Sequence, residues 1–125
     1  MLSRRMIFAA IASLAAPGAA SAAEQSFSKD AFAAAQKAGK GIVVHVYAPW
    51  CPTCRAQEPI LHKLQADHPA LEAFRVDFDG QKDAVRALKA TNQSTIIVFK
   101  GAKEVGRLAG ETDAEAIGKL FAKAL

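Results

Sequence analysis

Six residues, Ile42-Val43-Val44-His45-Val46-Tyr47, form a nearly continuous β-branched run between Gly41 and Ala48-Pro49. Such a run reads as a strand covered on both faces, the kind that lies in the middle of an α/β sheet. The next segment narrows the choice further. Ala48-Pro49-Trp50 turns the chain into a helical pattern that begins near Cys51 and passes Leu61 and Leu64 to about Asp67, with Pro59 expected to bend it. Both cysteines of the chain stand at that junction, in Trp50-Cys51-Pro52-Thr53-Cys54. A helix N-terminus carries roughly half a positive charge and unpaired N–H groups, which favour the reactive thiolate form of a cysteine. The second cysteine, three residues on, reaches the same side of the first turn, so the pair can close and open a disulfide. A static bridge is the alternative, but so short a loop removes little chain entropy. Reactivity explains the spacing better.

At 125 residues one compact domain is expected. Residues 1–22 read as a signal peptide preceding it. Met1 to Arg5 is basic, Met6 to Ala16 is apolar but too short to cross a bilayer, and Ala20-Ser21-Ala22 is a small-residue cleavage pattern. An uncleaved anchor is the competing reading. Cleavage would make Ala23 the first mature residue and 23–125 the domain. Ser3-Arg4-Arg5-Met6-Ile7-Phe8 also loosely fits a twin-arginine export signal. The net charge of +4 drops to +2 without Arg4 and Arg5, which gives no case for nucleic-acid binding.

The rest of the domain alternates between strand and helix patterns, with no repeat. Ser28 caps a helix running to Ala38, with Phe27 and Phe32 as a hydrophobic staple, and Gly39-Lys40-Gly41 stops it. Phe74 to Asp79 reads as a strand, Gln81 to Ala90 as a helix, and Thr95 to Lys100 as a strand. Gly101-Ala102-Lys103 then turns the chain into a further strand over Glu104 to Ala109. Thr112-Asp113-Ala114-Glu115 is a capping box opening an amphipathic helix with Ile117, Leu120 and Phe121 inward. This order implies an α/β fold: a central mixed sheet with helices on both faces, and the cysteines at the carboxyl end of its central strand.

From Phe27 onward the chain resembles a thioredoxin. Trp-Cys-x-x-Cys after an apolar strand, Pro59 five residues past Cys54, and Thr95 to Lys100 followed by a glycine-containing hairpin carry the resemblance. The Cys-Pro-Thr-Cys version is similar to that of thioredoxin-like proteins of cytochrome c maturation. Those usually carry an insert and an acid where this chain has Gln57, so a short exported thioredoxin is the better match. The resemblance implies a thiol–disulfide oxidoreductase in which Cys51 is the exposed nucleophile and Cys54 the buried resolving thiol. It implies no bound cofactor, protein disulfides or dithiols as substrates, and reduction as the favoured direction. A reductant outside the cytoplasm, periplasmic or secreted, would need electrons from a membrane thiol-transfer protein. A monomer is expected. A dithiol oxidant, or a binding module for apoprotein or metal with little turnover, are the rivals.

The chain departs from the family pattern at two positions. Members commonly bury an acid six residues before the first cysteine, where this chain has His45. His45 is read either as a base that helps deprotonate Cys54 or as a neutral strand histidine satisfied by a local partner. Members also carry a cis-proline before the third shared strand, and no proline follows Pro69 here. Ser94 stands in that place before Thr95. A non-proline cis bond costs about 2.5–4 kcal/mol, so a trans Gln93–Ser94 bond is expected, with the Ser94 hydroxyl either bonding a cysteine sulfur or merely ending a loop. Trp50 is a candidate platform for substrate, Pro52 and Thr53 tune the helix start, and these three with Ser94 and Thr95 are the candidate substrate contacts. Glu58 and Arg55 read as solvated, and an ion pair at Arg75 is not expected once His45 replaces the acid. His62 and His68 make no zinc pattern with the cysteines, so no metal ligand is assigned.

Overall fold

The structure, a computed structural model, describes residues 24–125. The expected leader, 1–22, lies outside that range. The chain runs β1 (Gln25–Ser26), α1 (Lys29–Lys37), β2 (Gly41–Tyr47), α2 (Pro52–Asp67), β3 (Glu72–Asp77), α3 (Lys82–Ala87), β4 (Thr95–Lys100), β5 (Lys103–Ala109) and α4 (Ala114–Ala122). Five strands form one sheet in the order β1-β3-β2-β4-β5. β3 runs parallel to both β1 and β2, while β4 is antiparallel to β2 and β5. The mixed sheet and its flanking helices agree with the sequence reading: this is a thioredoxin fold.

Alternation along the inner strands sorts their side chains into two cores. Ile42, Val44 and Val46 of β2 join Ile97 and Phe99 of β4 on the face covered by α1 and α3. Val43, Ile96 and Val98 point the other way and meet Leu61 of α2 with Ile117, Leu120 and Phe121 of α4. Phe27 and Phe32 are stapled at 5.2 Å between ring centroids, and the Ser28 side chain caps α1 by accepting from the Ala31 N–H. Gly41 is required where the C-terminal end packs down, because a Cβ there would lie 2.5 Å from the Ala124 carbonyl oxygen. Gly101, with φ of 59°, opens the two-residue β4–β5 turn in the manner of a type II′ hairpin.

Several boundaries differ from the sequence reading. β3 starts two residues earlier and ends at Asp77, whose carboxylate accepts from the Asp79 N–H and closes a turn. α3 is shorter than expected because Leu88 caps it and Lys89 adopts the left-handed conformation, with φ of 55°. Asp113, not Thr112, caps α4: its carboxylate accepts from the Ala116 N–H at 3.0 Å. β1 has no counterpart in the sequence reading.

Candidate active site

The carboxyl end of β2 delivers the cysteine pair to the start of α2. Cys51 is the N-cap of that helix, with extended backbone, and its Sγ accepts from the Cys54 N–H at 3.1 Å. A sulfur thus fills the place usually held by a serine or aspartate oxygen. Pro52 follows at the first helical position, where its missing N–H costs nothing. Both cysteines are free thiols. The Cys54 thiol donates to the Val46 carbonyl at 3.9 Å. With Ala48 the pair forms a small cluster, against which Tyr47 and Phe78 pack.

The expected contrast in exposure is not found. Cys51 is 2% exposed and Cys54 0%, because folding the Cys51 side chain back over the helix start takes it out of water. Burial, then the hydrogen bond with Cys51, pushes the Cys54 thiol up to about 11. Backbone hydrogen bonding at Ala48 and Ser94 pulls in the opposite direction.

Among the described residues there is no cis peptide, so the Gln93–Ser94 bond is trans, as expected. Ser94 instead adopts the left-handed conformation, with φ of 57°. It meets the site through its backbone. Its N–H donates to the Val46 carbonyl at 2.8 Å, and its own carbonyl accepts from Gly110 at 2.9 Å and from Gln57 Nε2 at 3.0 Å. No hydrogen bond joins the Ser94 hydroxyl to either sulfur. Thr95 turns its hydroxyl into the preceding loop, donating to the Asn92 carbonyl. Trp50 is 55% exposed, its indole N–H held by Asp79 Oδ2 at 2.6 Å. Pro52 is exposed and Thr53 half-buried beside it.

His45 lies under α2 rather than against a sulfur. Its Nε2 is 2.9 Å from Gln57 Oε1. Gln57 Nε2 donates to the carbonyls of Ser94 and Glu111, which orients its oxygen toward the imidazole, so His45 Nε2 carries the proton. Burial holds this imidazole down at about 4, partly offset by the Gln57 bond, with Arg75 and His62 lowering it further. His45 is therefore neutral near pH 7.

A buried carboxylate is nonetheless present. Glu24, just before β1, places Oε1 2.9 Å from Arg75 Nε and 3.9 Å from His45 Nδ1, and Oε2 3.7 Å from His62 Nε2. Arg75 pairs with Glu58 as well, and its guanidinium lies 4.0 Å from the Tyr47 ring centroid. The expectation that Arg75 would be unpaired and Glu58 solvated is thus overturned: Glu24 restores the negative charge that His45 does not supply. His45 Nδ1 and Glu24 Oε2 find no hydrogen-bond partner among the described residues. Gln57 and Glu24 are the site residues that sequence reasoning missed. In the sequence Gln57 is marked only as the place where thioredoxin-like proteins of cytochrome c maturation carry an acid, three residues past the second cysteine, with no role given to it; nothing local marks Glu24.

A family model described as Thioredoxin matches residues 23–123. The thioredoxin of Chlamydia muridarum is 31% identical over 99 residues, covering 79% of this chain and 96% of that protein. Thioredoxin-1 of Saccharomyces cerevisiae is 29% identical over 75 residues, covering 60% of this chain and 73% of that protein. Among solved structures, Trxlp from Edwardsiella tarda EIB202 superposes with a TM-score of 0.76 at 38% identity, covering 79% of this chain and 98% of that one. Mitochondrial thioredoxin 3 from Saccharomyces cerevisiae in its oxidised form, 23% identical with a TM-score of 0.71 and covering 79% of this chain and 93% of that one, shares the fold. Likeness of this extent, reaching from before β1 into the end of α4, places the chain in the thioredoxin family of thiol–disulfide oxidoreductases.

Proposed function

We propose that this protein reduces disulfides in other proteins outside the cytoplasm. The observation that carries the reading is the pair of free thiols on the first turn of α2, with the Cys54 N–H on the Cys51 sulfur. In the reaction, the Cys51 thiolate attacks one sulfur of the substrate disulfide, that bond breaks, and one substrate thiolate leaves. Cys54 then gives up its proton and attacks the Cys51 sulfur. The Cys51–Cys54 disulfide closes and the second substrate thiolate is released, so two electrons have passed to the substrate.

Reduction is favoured over oxidation because the frame is the short thioredoxin one, without the inserted helical domain of the larger oxidants among the described residues. Trp50, Pro52 and Thr53 provide the surface for substrate backbone, with Ser94 and Thr95 in the adjoining loop. His45 contributes through Gln57 rather than by touching a sulfur. The basic, apolar and small-residue sequence of 1–22 supports export to the periplasm or beyond, with the twin-arginine signal as one route. Electrons then come from a membrane thiol-transfer protein.

The test is insulin-disulfide reduction by the mature protein and by Cys51→Ser, together with a reduction potential. A value close to thioredoxin's, about −270 mV, is expected, whereas one of about −120 mV would mark an oxidant. Turnover that survives Cys51→Ser would overturn the reading.

A further inference from the structure

Gln57 is fully buried on α2, one turn beyond Cys54. A buried primary amide is costly unless its donors and acceptor are matched. Here both Nε2 donors are used, to the Ser94 carbonyl at 3.0 Å and the Glu111 carbonyl at 2.8 Å, and Oε1 meets His45 Nε2 at 2.9 Å. One side chain therefore joins the active-site helix to β2, to the loop before β4 and to the loop after β5.

Ser94 is the partner that needs holding. A left-handed backbone is unfavourable for a non-glycine residue, and it persists only where its surroundings fix it. The Ser94 N–H and the Cys54 thiol converge on one acceptor, the Val46 carbonyl. The Ser94 amide thus stands beside the sulfur. When Cys54 loses its proton, that amide is a donor positioned for the thiolate.

We propose that Gln57 is a positioning residue for the resolving step, holding the left-handed Ser94 turn beside Cys54 in the place where a cis-proline stands in the family. This rests on the dithiol chemistry above. The hydrogen bonds of Gln57 do not touch Cys51, so its loss acts on the second chemical step and spares the first.

The test uses a symmetrical aromatic disulfide whose released thiolate is coloured, mixed with the reduced mature protein. Attack by Cys51 breaks the probe and releases one thiolate. Attack by Cys54 on the resulting mixed disulfide, with its proton lost to solvent, closes the protein disulfide and releases the second. Gln57→Met, close in volume, is expected to leave the first release within about twofold and to slow the second at least tenfold, the loss expected for one or two hydrogen bonds. Gln57→Glu keeps the shape and offers one donor at most. It should slow the second release less at low pH than at high pH, because ionisation removes that last donor. An unchanged second release in either folded variant, or both releases slowed by one factor, would overturn the proposal. Absence of a first release in the wild type would instead overturn the dithiol chemistry on which it rests.

Discussion

His45 and Arg75 are register partners across β2 and β3, and the charge of the pair belongs to Arg75. His45 is buried and held down at about 4, so it folds in as a neutral ring. The unfolded chain binds a proton on this residue below about 6.5, whereas the folded protein does so only near 4. The stability this gives is present above 6.5 and is lost as pH falls through 4, a contribution of about 3 kcal/mol at most. Urea unfolding of the wild type should therefore weaken between pH 7 and pH 4 by more than that of His45→Gln. Equal losses in the two proteins would show that the ring does not titrate in this way.

Cys54 is expected to make the resolving step steeply dependent on pH. Its thiol is pushed up to about 11, so at neutral pH only a small fraction is thiolate. Release of thiolate from a mixed disulfide on Cys51 should speed up about tenfold per pH unit between pH 7 and 9. A plateau within that window would reveal a base acting on Cys54. If His45→Gln removed the plateau, that base would be His45.

Replacing Cys54 with serine should stop the reaction after its first half. The Cys51 sulfur would remain joined to its client, and the complex would be visible as a band on a non-reducing gel that reductant removes. Cys51→Ser should give neither turnover nor complex. Complex formation by Cys51→Ser would mean that the buried Cys54 is the attacking thiol.

Trp50→Ala removes an exposed side chain whose one hydrogen bond goes to Asp79. Unfolding free energy should change by about 0.5 kcal/mol or less, as for other surface positions. KM for a protein disulfide should rise while kcat changes little. An unchanged KM would remove Trp50 from the substrate surface.

Gly41→Ala tests the packing of the C-terminus. The added methyl would meet Leu71 and, at 2.5 Å, the Ala124 carbonyl oxygen, and backbone cannot move aside cheaply. A loss of about 1–3 kcal/mol is expected in chemical denaturation, typical of overpacking. Activity per folded molecule should be retained.

The frame was legible because its inner strands are continuous β-branched runs and its end helices carry caps and apolar stripes. Thr95–Lys100 matched residue for residue, and β2 gained only Gly41. β1 escaped because two exposed polar residues have no periodicity; only pairing with Phe74 and Arg75 makes them a strand. The cysteines and the absent cis-proline were also plain. Their surroundings were not. A glutamine on a helix reads as surface until three segments are seen to close over Gln57. Glu24 reaches Arg75 across 51 residues of chain, so the ion pair exists only in three dimensions. Burial of Cys51 depended on a side-chain rotation that no pattern encodes.

The sulfurs belong to neither of the two large cores. They share a small cluster with Ala48 at the rim of the sheet, while Ile42, Val44 and Phe74 pack on one face and Val43, Leu61 and Phe121 on the other. Phe78 packs against both that cluster and the first of the cores, so joining or parting the two sulfurs is expected to be felt there and little elsewhere in the packing. A donor or client that distinguishes the charged from the spent form would then do so by touch, at the sulfurs and the rim around them.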